Sequence, residues 1–265
     1  MSEPGFPAQE IDTERPHPAR IYDYLLGGKD NYAVDRDAGD ALADVAPEVR
    51  PGVRANRAFL RRAVRYAVGG GIRQILDIGT GLPTSPNVHE TARETAPDVR
   101  VAYVDNDPIV NVHANALLNR SGGTRVVLGD LRDPQAVVHH PDVREVVDFD
   151  EPVALLLVAV LHFLTEEEQP GRIVATLRDA LPPGSVLVLS HATDDFADRS
   201  AAQAVYGNAT ATLNLRPRSA IERYFDGFEL VEPGLVQVPF WRPDSSPPQG
   251  SGEIGFYGGV AYRRA

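Results

Sequence analysis

The segment Gln74-Ile75-Leu76-Asp77-Ile78-Gly79-Thr80-Gly81, continuing through Pro83 to Glu90, constrains this chain more than any other. A short apolar run that breaks into glycines and then into a helical stretch predicts a strand–turn–helix unit. Glycine lets such a turn take φ > 0 and brings a ligand against the backbone with no Cβ in the way. Asp77 ends the strand just ahead of Gly79, and the next apolar run, Val101 to Val104, also ends on a carboxylate, Asp105. Carboxylates at successive strand ends around a glycine turn make a pocket for a ligand with a cationic head and a ribose.

The rest of the chain repeats this unit. Strands are predicted at Gln74–Ile78, Val101–Asp105, Arg125–Leu128, Val153–Val158 and Ser185–His191, with helices at about Asn87–Thr95, Ile109–Asn119, Pro134–His139 and Glu166–Ala180. Apolar strands alternating with helices argue for a parallel sheet covered on both faces. Thr165-Glu166-Glu167-Glu168 has the pattern of a capping box for the last of these helices. A polar, alanine-rich stretch, Asp194 to Leu213, reads as helical and is placed to lie over a site; Ser219–Phe225 reads as a short helix. Phe228–Val231 and Gly255–Tyr262 then read as two final strands joined by a proline-rich loop, for seven strands in all. Ahead of the alternation the chain is purely helical, with segments at about Pro18–Leu26, Val34–Val45 and Val53–Val68. The expected division is a disordered leader at 1–16, a helical cap at 17–68 and one α/β domain at 69–265.

Charge and composition exclude several functions. The chain of 265 residues carries a formal net charge of -11, which disfavours general nucleic-acid binding. Arg54, Arg57, Arg61, Arg62 and Arg65 recur at helical spacing and read as a solvated, ion-paired face. With no cysteine there is no disulfide, thiolate nucleophile or thiolate metal site. The longest apolar run, Val153 to Leu161, is far short of the roughly 18 residues of a membrane span. The N-terminus lacks an apolar signal region, so the expected compartment is the cytoplasm. The seven histidines are scattered, and no metal site is expected.

Two ligand classes compete for the glycine turn. A dinucleotide site wants G-x-G-x-x-G and backbone donors for a pyrophosphate. Here Thr84 stands at the third glycine position, and Pro83 removes a donor. Asp77 suits an ammonium better than a pyrophosphate. S-adenosylmethionine (SAM) carries an α-ammonium, a sulfonium and no phosphate, and it fits. Gly79, Thr80 and Gly81 would form the turn against it, and Asp105 would take the ribose hydroxyls with Asn106 beside it. Asp130 would accept from the adenine amino group while the Leu131 amide donates to a ring nitrogen. Asp130 could instead pair with Arg132. Val158 and Ala159 would lie near the sulfonium. His162 is the titratable group expected closest to the reacting methyl, as a base; the alternative is a packed or surface histidine.

Several segments together resemble one family, the actinobacterial SAM-dependent methyltransferases formerly classed as a domain of unknown function. They are PARIYDYLLGGKDNY (18–32), ANRAFLRRAV (55–64), LDIGTGLPTSPNVHE (76–90), YVDNDPIV (103–110), LGDLRDP (128–134) and VLHFL (160–164). The resemblance implies the class I methyltransferase fold: a Rossmann-like seven-stranded sheet of order 3-2-1-4-5-7-6, helices on both faces and an N-terminal helical cap. It implies SAM binding by Asp77, Gly79, Gly81, Asp105 and Asp130, and it names no methyl acceptor. The chain departs from methyltransferases in general at Pro83 and at Ala159-Val160-Leu161-His162, where an Asn/Asp-Pro-Pro-aromatic motif is absent. That absence argues against an amide or exocyclic base nitrogen as acceptor. Arg20, Tyr22, Lys29, Asn31 and Tyr32 crowd around a double glycine and are expected to fold over the SAM site as a lid, with a cationic or amide group on the methionine carboxylate; the alternative is a helix that simply packs on the domain. The expected activity is methylation of an oxygen or nitrogen of a small molecule in secondary metabolism. The alternative is a SAM-binding sensor or partner protein without methyl transfer. Oligomeric state is not legible.

Overall fold

The structure, a computed structural model, describes residues 12–118 and 122–264. Of the expected leader, residues 1–11 lie outside the described part and 12–16 are irregular. Among the described residues, three helices precede the first strand: α1 (Pro18–Leu26), α2 (Ala33–Val45) and α3 (Val49–Gly69). His17 caps α1 by accepting the Ala19 N–H on Nδ1, and Pro18 occupies the first turn, where a missing N–H is tolerated. The alternating part runs β1 (Gln74–Ile78), α4 (Val88–Arg93), β2 (Arg100–Asp105), α5 (Pro108–Leu118), β3 (Thr124–Leu128), α6 (Pro134–His139) and α7 (Pro141–Val146). It continues through β4 (Ala154–Val158), α8 (Pro170–Ala180) and β5 (Val186–Ala192). Then come α9 (Ser200–Val205), α10 (Arg218–Glu222), β6 (Phe228–Leu230), β7 (Val236–Gln237) and β8 (Phe256–Arg263).

The sheet has the order β3-β2-β1-β4-β5-β8-β6, with the two-residue β7 also on β8. β1 to β5 are parallel; β8 enters antiparallel between β5 and β6. Leaving out β7, this is the expected order 3-2-1-4-5-7-6. β1 is central, pairing Ile75 with Val101 on one side and Leu76 with Leu155 on the other. All five of its residues are buried, which explains why its sequence shows an apolar run and no alternation. On one face, Leu76, Leu155 and Leu187 pack with Val137, Val174 and Leu177 of the helices. On the other, Ile75, Leu156 and Val186 pack with Phe59, Ala63 and Val64 of α3 and with Trp241. Ile21 and Leu25 of α1, Leu42 of α2, and Ala202 and Tyr206 form a separate cluster against Phe163, just past β4.

Local differences from expectation have local causes. α3 begins four residues early because Pro51 falls in its first turn, where proline fits. The capping-box residues 165–168 make a turn and no helix. Glu168 does accept the Thr165 N–H at 2.7 Å, but Gln169 sits at φ 54 and α8 starts at Pro170. The region 194–213 holds only α9 and one 3-10 turn, Tyr206–Asn208. Its carboxylates bind backbone in competition with a helix: Asp198 accepts from Ser200 N–H and Asp195 from Arg218 N–H. His140 caps α7, accepting the Asp142 N–H on Nδ1 at 3.2 Å.

Candidate active site

At the end of β1 the chain turns at Gly79, φ 75, where a Cβ would stand 2.4 Å from Val160 Cγ2. Neither the backbone conformation nor the space admits another residue. The Gly79 and Thr80 amides both donate to Val104 O, at 2.8 and 3.3 Å, and Thr80 Oγ1 donates to Asp77 O at 3.0 Å. Gly81, φ 68, donates its N–H to Asp105 Oδ2 at 2.8 Å. The turn is thereby fastened to β2, and it floors a cavity of about 370 Å³ beneath α1 and α3. Asp77, Gly79, Thr80, Gly81, Asp105, Asn106, Asp130, Leu131, Val158 and Ala159 all line this cavity.

The carboxylates differ in what they already hold. Asp77 is 5% exposed, and no donor reaches its side chain among the described residues. Burial pushes its pKa up to about 7, with Arg57 opposing and Asp105 adding to the rise. Asp105, also buried, accepts one amide on each oxygen, from Gly81 at 2.8 Å and Asp107 at 3.0 Å. Its pKa is nevertheless raised, burial outweighing those two bonds. Asp107 caps α5 by accepting the Ile109 N–H at 2.9 Å. Asp130 lines the cavity and also takes the Arg132 amide at 2.8 Å and its guanidinium at 3.2 Å. Leu131 is buried, and its N–H has no acceptor among the described residues.

The expected lid divides. Arg20 and Tyr22 of α1 line the cavity; Lys29, Asn31 and Tyr32 do not. Gly27, at φ 89, ends α1 and turns the chain away. Past it the polar groups serve the backbone. Asp23 accepts from Asp30 N–H (3.1 Å) and Asn31 Nδ2 (2.8 Å), and the Tyr32 N–H goes to Asp35 at 2.9 Å. Arg20 is partly committed: its Nη2 donates to Arg15 O at 2.9 Å, while its Nε, 3.6 Å from Asp35 and 3.7 Å from Asp107, makes no hydrogen bond among the described residues.

The cation beside Asp77 is Arg57 of α3, which lines the cavity and donates to Thr84 O at 2.7 Å. Sequence reading assigned Arg57 to a solvated face. Its neighbours also have partners: Arg62 donates to Trp241 O and Val238 O, and Arg65 pairs with Asp244. The available signal was Arg57's place next to Asn56 in the block 55–64; Asn56 lines the cavity too. His162 does not line this cavity. The turn at Ala159, φ 57, sends residue 162 into the interior, where it is 3% exposed. Burial, with His191 and Arg216 nearby, holds its pKa well below the ordinary value. Among the described residues no group of three or more His, Asp or Glu could hold a metal ion, and no helix is long and apolar enough to cross a membrane.

A family profile described as S-adenosyl methyltransferase matches residues 4–264. The fold is similar to a DUF574 family protein from Streptomyces avermitilis, at 43% identity and TM-score 0.90 over 96% of this chain and 99% of that one. A Thermobifida fusca protein is similar at 40% identity and TM-score 0.90 over 98% and 99% of the two chains. The N-methyltransferase NodS from Bradyrhizobium japonicum, crystallised with S-adenosyl-L-homocysteine (SAH), shares the fold at 15% identity and TM-score 0.51, over 93% and 100%. No protein of curated function matches the chain.

Proposed function

The chain belongs to the S-adenosyl methyltransferase family and is a SAM-dependent methyltransferase, and we propose that it methylates an oxygen or nitrogen of a small molecule. The carrying observation is Asp77, a buried carboxylate without a protein donor, facing a cavity at a glycine turn. A buried, unpaired carboxylate is costly unless a cation arrives, and the α-ammonium of SAM is such a cation. In this reading Arg57 holds the methionine carboxylate. Asp105 uses its remaining lone pairs for the ribose hydroxyls. Asp130 and the free Leu131 amide face the adenine, with Asn106 at its edge, and Val158 and Ala159 wall the sulfonium.

Bound SAM supplies an electrophilic methyl group. The chain's own contribution is to place the acceptor atom in line with that methyl and to keep water out, so transfer needs no strong base. The cavity lies between sheet and helices, which suits a small acceptor better than a polymer. The helices ahead of residue 69 form the cap of the site in this reading. Cytoplasmic location and a role in secondary metabolism belong to the same proposal, the latter supported by the actinobacterial relatives.

Calorimetric titration with SAM, SAH and NAD, beside an Asp105→Ala variant, tests the site. Micromolar binding of the first two, lost in the variant, supports it. A preference for NAD, or no SAM binding by folded protein, refutes it. Tight binding with no SAH formed across a broad acceptor panel would favour a sensor.

A further inference from the structure

A second cavity of about 70 Å³ adjoins the first, and Tyr22 and Phe163 stand in the walls of both. It lies past the ends of β4 and β5, lined also by His162, Tyr206, Phe256 and Gly52. Three observations mark it as a binding site. Its charged side chains, Glu48 and Arg199, neutralise each other at 2.8 Å, so the remaining lining is apolar and aromatic. Tyr206 is 6% exposed, and its hydroxyl has no hydrogen-bond partner among the described residues. Finally, His162 Nδ1 accepts the Ala192 N–H at 3.2 Å, so the neutral ring carries its proton on Nε2, which has no protein acceptor among the described residues. The ring offers a donor where a base was expected.

Resting on the methyltransferase reading, we propose that this cavity is the acceptor subsite and takes a neutral aromatic ring bearing an oxygen, a phenol. Both donors stand beside Phe163, a wall shared by the two cavities: the His162 ring is 4.4 Å and the Tyr206 ring 5.6 Å from that of Phe163. They hold the phenolic oxygen there while the ring lies among Phe256 and its neighbours. A benzene-sized ligand fills about 150 Å³, so the ring uses the small cavity together with the adjoining edge of the larger one. Two donors on one oxygen favour its deprotonated form. The phenolic proton leaves to solvent, and the oxygen's electron pair forms the bond to the methyl carbon. The sulfur–methyl bond breaks, and its electron pair stays on sulfur.

Saturation-transfer NMR on the SAH-saturated protein, with phenol, toluene and benzoate as probes, tests the assignment. Phenol is expected to contact the protein, toluene more weakly and benzoate not at all. Tyr206→Phe and His162→Gln should each weaken phenol about fivefold or more, the loss of one hydrogen bond. Gly52→Leu should abolish the phenol signal, with SAH affinity by calorimetry within about twofold of wild type. Should Gly52→Leu fail to fold, Gly52→Ala serves. Its Cβ meets Phe256 at an ordinary 3.7 Å, and it should still weaken phenol. Phenol contact unchanged in the Gly52 and Tyr206 variants, benzoate contact equal to phenol's, or no phenol contact despite SAH binding would overturn the subsite and leave the methyltransferase reading intact. No SAH binding by folded wild type would instead overturn the cofactor site on which it rests.

Discussion

Replacing Asp77 by asparagine removes the charge at the centre of the proposed cofactor site while keeping its shape. In the free protein burial raises this carboxyl from 3.8 to about 7. Between those values the folded state holds more protons than the unfolded one, so stability falls as pH rises through the window. At 1.36 kcal/mol per pKa unit the full loss is about 4 kcal/mol, complete above pH 7. The asparagine side chain cannot ionise but still leaves an amide underbonded, at about 1–3 kcal/mol. The variant should therefore be more stable than wild type by about 1–3 kcal/mol at pH 8, several degrees in Tm, and no more stable at pH 5. Binding runs the other way. An ammonium needs the ionised carboxylate, so wild-type affinity for SAH should rise with pH from 5.5 towards 7 and then level off, releasing a proton on binding. The variant should bind about 10–150-fold more weakly at pH 7.5, the worth of one charge-assisted bond, with no pH dependence in that range. Thermal unfolding from pH 5 to 8, and calorimetry in buffers of different ionisation enthalpy, read both effects. Parallel Tm profiles for the two proteins, or SAH binding without proton release at pH 6.5, would refute the reasoning.

Arg57→Gln should weaken SAH about tenfold or more and move the rise of affinity to higher pH, because Arg57 is what opposes protonation of Asp77; an unshifted profile would separate the two residues. Gly79→Ala combines a φ of 75 with a Cβ 2.4 Å from Val160 and should cost about 2–4 kcal/mol, visible as a lowered Tm in the absence of ligand. Lys29→Ala should change neither Tm nor SAH affinity. Asn31→Ala removes a bond to Asp23 and should lower stability by about 1 kcal/mol while SAH affinity holds, and weakened SAH binding in either would restore a lid role to this segment.

The sheet was legible because a strand buried on both faces must be apolar throughout, as Leu155, Leu156 and Leu157 are. The glycine turn was legible because positive φ restricts residue choice. What stayed hidden depended on direction. The periodicity of α3 separates an apolar face from a polar one, but it cannot tell bulk water from a polar cavity, so Arg57 read as surface. His162 sits three residues past a turn whose conformation, φ 57 at an alanine, no pattern announces. The cap's polar residues were misleading for a related reason. Asp23, Asn31 and Asp35 satisfy backbone groups at helix ends, and such groups attract the same side chains that ligands do.

Ala159 shows how the two cavities are held together. A left-handed backbone at a non-glycine residue costs of order 1–3 kcal/mol and persists only when its surroundings enforce it. Here the enforcing groups form one chain. The Ala159 N–H donates to Ser190 at 3.1 Å, and Ser190 Oγ donates to Asn56 Oδ1 at 2.6 Å. Asn56 Nδ2 donates to Tyr22 Oη at 3.0 Å, and Tyr22 Oη donates to Val53 O at 3.1 Å. β4, β5, α3 and α1 thus meet through hydrogen bonds beside the wall that the two cavities share. Tyr22 stands in both walls, and its hydroxyl is taken by protein partners, so in the proposed subsite it shapes the wall without competing for the acceptor. In that proposal Tyr206 and His162 are the donors left for the ligand. In-line transfer tolerates little misplacement, and a wall fixed from four elements is how this fold, with no strong base at the site, can supply the required alignment.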